Sequence, residues 1–108
     1  MKIKILIPIY NDWRSLSELL KNVDQQTYDI SDEISILIVN DGSNEEKENE
    51  NYKFKKIKSI KIINMKKNKG HARCNAAGLK YIFEKEDFDC VIPMDGDGED
   101  RPEEINIL

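Results

Sequence analysis

Ile3-Lys4-Ile5-Leu6-Ile7-Pro8-Ile9 is a short, nearly unbroken run of isoleucine and leucine. A run of this length, with polar residues on either side, predicts a central strand of a parallel sheet, covered on both faces. Pro8 stands near its end, where a missing N–H is tolerated. Tyr10-Asn11-Asp12 follows as a loop. Asp12 is placed to cap a helix that carries Trp13, Leu16, Leu19, Leu20 and Val23 on one side. That helix is expected to end near Asp24.

Working outward, residues 34–39 form a second apolar run, which ends in the turn signal Asn40-Asp41-Gly42-Ser43. Residues 44–50 are acidic and fit the start of a short helix. Residues 59–64 predict a third strand, and residues 65–69 a lysine-rich loop. Gly70 opens a second clear helix, with Ala72, Ala76, Leu79 and Phe83 as its expected buried stripe. Gly78 and other small residues would let that helix approach the sheet closely. Residues 89–94 predict a fourth strand. Pro102 fits the first turn of a further helix over residues 101–105.

Strands alternating with helical segments predict βαβ units. The expected fold class is α/β, a Rossmann-like, mostly parallel sheet with flanking helices. Ligands in such sheets sit outside the carboxyl ends of the strands. Tyr10-Asn11-Asp12, Asn40-Asp41-Gly42-Ser43, Lys69-Gly70-His71-Ala72-Arg73 and Asp95-Gly96-Asp97 all fall there.

The 108 residues suffice for one domain with a modest core. Net charge is −4, but residues 53–69 hold eight lysines and no acid. Those lysines interleave with Ile57, Ile60, Ile62 and Ile63, as solvated strand edges do. Aromatic residues for base stacking are sparse among them, so no nucleic-acid partner is expected. No apolar window approaches the ~20 residues of a membrane span. The opening run reads as a buried strand, not a signal peptide. Cys74 and Cys90 have neither metal-ligand nor disulfide spacing, and reduced thiols in a cytoplasmic protein are expected.

Chemistry concentrates at Met94-Asp95-Gly96-Asp97-Gly98. Two carboxylates separated by one glycine supply hard oxygen ligands for Mg²⁺ or Mn²⁺, which take one or two carboxylates plus substrate phosphates. Such a cation acts as a Lewis acid on a departing phosphate. Gly96 and Gly98 permit tight backbone geometry. A calcium loop starting at Asp95 fails, because its sixth and twelfth positions are Asp100 and Asn106. Asp41 fits either a base N–H or an Asx turn. Arg73 fits either a phosphate or solvent, and Tyr10 either base stacking or loop packing. The single histidine, His71, and Cys74 read as structural.

These stretches together resemble the nucleotide-binding half of family 2 glycosyltransferases with the GT-A fold. The motifs are Ile7-Pro8-Ile9-Tyr10-Asn11, Val39-Asn40-Asp41-Gly42-Ser43, the stretch from Asn68 to Gly78, and Met94-Asp95-Gly96-Asp97. Their order and spacing match the family over nearly the whole chain. Many members carry an acid at the position of Asn40. The tail from Glu99 to Glu104 is most similar to the polyprenyl-phosphate (dolichol-phosphate mannose synthase-like) branch.

The resemblance implies transfer of a sugar from a nucleotide-diphosphate donor with inversion at the anomeric carbon. Pro8 and Tyr10 would line the base pocket, Asp41 would bind the base, and Arg73 would help hold the nucleotide. Asp95, beside Gly96, would contact ribose or metal, and Asp97 would be the main ligand of Mg²⁺ or Mn²⁺. Residues 1–108 would be the nucleotide-sugar-binding part, with the acceptor half and its general base absent. The implied acceptor is a saccharide or a polyprenyl phosphate. Cytoplasmic placement, free or at the inner face of a membrane through a C-terminal part, follows from that branch. An apolar patch left uncovered would favour homo-oligomers. The alternative is a nucleotide-binding fragment without catalytic activity.

Overall fold

The computed structural model describes residues 1–43 and 53–95. The helices expected over 44–50 and 101–105, and the candidate residues Gly96 and Asp97, lie outside the described residues. β1 (Lys2–Ile9), α1 (Trp13–Gln26), β2 (Glu33–Asn40), β3 (Ile57–Asn64), α2 (His71–Lys85) and β4 (Cys90–Pro93) follow in that order. The four strands form one parallel sheet in the order β3-β2-β1-β4. β1 is an inner strand, as its apolar run predicts. Ile5 pairs with Ile36 on one side and Ile92 on the other.

Side chains alternate between the two faces of a strand. Ile3, Ile5, Ile7 and Ile9 join Ile34, Ile36 and Ile38 in one core with Trp13, Leu16, Leu19, Leu20 and Val23 of α1. Leu6 falls between them in sequence and belongs to the opposite face. There it meets Leu37, Val39, Cys74 and Ile82 of α2. Each fully buried leucine or isoleucine contributes about 1.5–3 kcal/mol. The doubly covered strands β1 and β2 therefore carry most of the hydrophobic stabilisation.

Three boundaries differ from expectation. α1 continues to Gln26, past Asp24. The Asp24 carboxylate accepts the backbone N–H groups of Lys55, Lys56 and Ile57 at 3.0, 2.7 and 2.9 Å. That anchor starts β3 at Ile57, opposite Ile34, with an irregularity before Ser35 pairs with Ser59. β4 is confined to Cys90–Pro93. Asp12 precedes α1, and its backbone carbonyl accepts from Leu16, but its side chain makes no cap bond.

The buried side of α2 is also different. Cys74, Gly78 and Ile82 face the sheet, and Phe83 is 67% exposed. Ala72 and Ala76 are exposed and Leu79 half-buried. Two apolar lines run along this helix, and the line with the smaller residues allows the closer approach. A Cβ on Gly78 would overlap Leu6 Cδ1 and stand 3.1 Å from Val39 Cγ2. The Phe83 ring packs edge-on against Phe88, centroids 5.0 Å apart. On the lysine-rich strand, Lys58 pairs with Glu33 and Lys61 with Glu86, consistent with solvated edges.

The chain steps from β1 to β2 to β3 in one direction, then crosses back over the sheet to place β4 on the far side of β1. The direction of winding therefore reverses between β1 and β4.

Candidate functional site

In open parallel sheets, ligands bind outside the carboxyl ends of the strands where the winding reverses. Here the two strands flanking that point deliver Tyr10 and Asp95. Tyr10 follows β1 and is half-buried, with Pro8 buried two residues behind it. Met94 is buried, and its N–H donates to the Leu6 carbonyl at 2.9 Å, which brings Asp95 out beside β1. Asp95 is half-buried.

Hydrogen bonds stitch the neighbouring loops together. Asn11 adopts φ 59 and donates its N–H to Ser43 Oγ at 2.9 Å. Ser43 N–H donates to Asn40 Oδ1 at 3.1 Å, and Asn40 Nδ2 donates to Asn64 Oδ1 at 3.0 Å. The turn after β2 is thus closed by the Asn40 side chain, three residues before Ser43, leaving Asp41 for a different task.

Asp41 is 0% exposed. Its Oδ1 accepts the Lys69 N–H at 2.6 Å, and its Oδ2 the Gly70 N–H at 2.9 Å. The Cys74 thiol donates to the same carboxylate. Burial pushes the Asp41 pKa up, but these three donors, with the charge of His71, outweigh it and hold the carboxyl below its usual range. Reciprocally, burial and then Asp41 push the Cys74 thiol up to about 12.

Arg73 is exposed in the first turn of α2, one residue before the sheet-facing Cys74. Of the expected site residues, the structure gathers Pro8, Tyr10, Asp41 and Asp95 at the strand ends and leaves Arg73 on the helix surface. Among the described residues, no group of three His, Cys, Asp or Glu side chains could hold a metal. Mg²⁺ or Mn²⁺ needs only one or two carboxylates besides phosphate oxygens, and Asp95 is a hard donor at the right edge, so the residues present fit. Sequence reading gave no individual site role to Ser43, Cys74 or Asn75. The buried Oδ1 of Asn75 has no hydrogen-bond partner among the described residues. No periodic pattern marks these three; only the placement of the loops and of α2 does.

A hollow of about 430 Å³ is lined by Asp24, Gln25, Tyr28, Asp29 and Lys55, at the opposite end of the sheet. Its Asp24 is already occupied by three backbone N–H groups. The carboxyl edge is therefore the candidate site. No described helix is long and apolar enough to cross a membrane.

A parallel α/β sheet with its polar loops gathered where the winding reverses is the architecture of nucleotide-binding α/β domains. Glycosyl transferase family 2 matches residues 4–108, and the chain belongs to that family. Its fold is similar to the crystal structure of S. aureus TarS 1–349, with a TM-score of 0.64 and 21% identity over 90% of this chain. The chain spans 28% of that TarS chain. The likeness bears on the fold, an α/β sheet that matches part of a GT-A enzyme. Members of the family typically use a divalent metal.

Proposed function

We propose that the chain binds a nucleotide-diphosphate sugar at the carboxyl edge between β1 and β4, and that its domain transfers the sugar to an acceptor with inversion. The supporting observation is that Tyr10 and Asp95 follow the neighbouring strands β1 and β4 at the reversal point, in a family 2 glycosyl transferase chain. Tyr10, backed by the buried Pro8, offers a ring for base stacking. Asp41 shapes the wall from within. Arg73 has a long side chain free to turn toward a phosphate.

Asp95 and Asp97, with Gly96 between them, would hold Mg²⁺ or Mn²⁺. When bound, the cation would offset the negative charge that develops on the leaving diphosphate. In the transfer, an acceptor hydroxyl forms a bond to the anomeric carbon from the face opposite the nucleotide. The bond to the diphosphate oxygen breaks, and the diphosphate leaves with the electron pair. The hydroxyl proton passes to a general base, a role that no residue of this chain is assigned. The acceptor would be a saccharide, which attacks through such a hydroxyl, or a polyprenyl phosphate, which attacks instead through a phosphate oxygen.

The test is a titration of the 108-residue chain with UDP and GDP, with and without Mn²⁺, followed by heat or by Trp13 fluorescence. Metal-dependent binding of one nucleotide, abolished in Asp97→Ala, is expected. A folded chain that binds neither nucleotide would sink the proposal. Binding without sugar transfer would favour the non-catalytic alternative.

A further inference from the structure

The lysines of residues 53–69 do not share one environment. In and just before β3 the protein holds several of them: Lys56 Nζ donates to the Ile30 carbonyl, and Lys58 and Lys61 pair with Glu33 and Glu86. Lys66, Lys67 and Lys69 stand instead on the strap of residues 66–70 that leads from β3 to α2, and all three are exposed. Arg73 follows, exposed in the first turn of α2. None of these four cations joins an ion pair among the described residues. A surface that serves solubility alone intersperses both signs, yet residues 65–73 carry no acid in a chain of net charge −4.

The strap is pinned to the end of β2 through its backbone, which leaves its side chains to solvent. Gly42 adopts φ +71, and a Cβ there would stand 2.8 Å from the Asn68 backbone nitrogen and 2.9 Å from the Lys67 carbonyl carbon. Only glycine fits both that conformation and that space. Lys69 and Gly70 then donate their N–H groups to Asp41. β2 neighbours β1, so the strap stands within roughly 10 Å, two strand spacings, of the gap between β1 and β4. That is about one screening length at physiological salt. Asp12, Asp41 and Asp95 bring negative charge to the same edge. Without the strap cations, an incoming diphosphate would meet net repulsion there.

We propose that Lys66, Lys67 and Lys69, with Arg73 beside them, form a cationic rim that steers the anionic donor into the crevice between β1 and β4. This deepens the donor-site reading above and rests on it. The chemistry recognised is the charge of the diphosphate, not the base or the sugar. An exposed ammonium stays hydrated and adds little to a bound state, but its field reaches a ligand still in solution. The rim therefore sets how fast the donor arrives. How long it stays is left to the groups that line the crevice.

The test is stopped-flow association of fluorescently labelled UDP and GDP, with Mn²⁺, to the 108-residue chain. Lys66→Gln with Lys67→Gln should slow association about three- to tenfold at ~0.01 M salt and leave dissociation within about twofold. The difference should vanish near 1 M salt, where screening is complete within ~3 Å. Lys66→Glu with Lys67→Glu should slow association further. Lys21→Gln with Lys80→Gln removes the same charge from exposed helix positions about 12–14 Å down from the carboxyl edge, and should change association by less than about twofold. Affinity for the uncharged nucleosides should be the same in all variants. Unchanged association in the Lys66/Lys67 variants overturns the rim. So does equal slowing in the Lys21/Lys80 pair, which would show an effect of net charge alone, or a change confined to dissociation, which would show direct contact. If the folded wild-type chain binds neither nucleotide, the donor-site reading itself falls; nucleotide binding with charge-insensitive association leaves that reading standing and removes only the rim.

Discussion

Gly78 of α2 rests directly on Leu6 of the inner strand β1, so that a Cβ added to the glycine would overlap Leu6 Cδ1. Leu6 is fully buried, so its side chain can yield only by displacing its neighbours in a close-packed core. Gly78→Ala gains about 1 kcal/mol of helix propensity but overpacks the core, at a cost of typically 1–3 kcal/mol. With Val39 also only 3.1 Å away, the expected outcome is a net loss of about 1 kcal/mol, read by urea denaturation. A stabilised variant would show that α2 sits farther from the sheet.

Asp24 gathers three backbone N–H groups at the start of β3. Burial raises its pKa, but the N–H groups of Ile57, Lys55 and Lys56, with the charge of Lys55, outweigh that and lower it. A depressed carboxyl contributes stability that is present above the unfolded value near 3.9 and is lost as pH falls through the folded value. Asp24→Asn should therefore cost about 1–2 kcal/mol at pH 7. The gap from wild type should close as the pH drops below about 4. A gap independent of pH would mean that shape, not charge, holds β3.

The two thiols should differ in reactivity. Cys74 is fully buried and its pKa is pushed up to about 12, whereas Cys90 is half-buried on the edge strand β4. The thiolate is the reactive form. At pH 8 a disulfide reagent should modify Cys90 in the native chain, and Cys74 only as fast as the chain opens. Prompt modification of both would contradict the closed packing around Asp41.

Much of the fold is legible in the residues themselves. β1 and β2 are continuous apolar runs because both their faces are covered, and no other element of this length reads that way. The carboxyl-edge position of Tyr10, Asp41 and Asp95 follows once the strands are parallel. The rest depends on contacts distant in sequence. Ile57 extends β3 because Asp24, 33 residues earlier, accepts its N–H. The sheet side of α2 is chosen between two plausible apolar lines by how closely Gly78 and Cys74 let it approach. The Asp41 carboxylate is occupied by donors 28 and 29 residues away, which no local turn rule anticipates.

The strand order also dictates a sequence of events in time. β1 is made first, yet it lies between β2 and β4, and its pairing of Ile3 with Cys90 spans most of the described chain. During synthesis one edge of β1 stays bare until Pro93 has emerged, and such non-local pairing is slow and vulnerable to wrong partners. Of the four described strands, the earliest in the chain is sealed last, and Tyr10 and Asp95 come to share one edge only with that closing step.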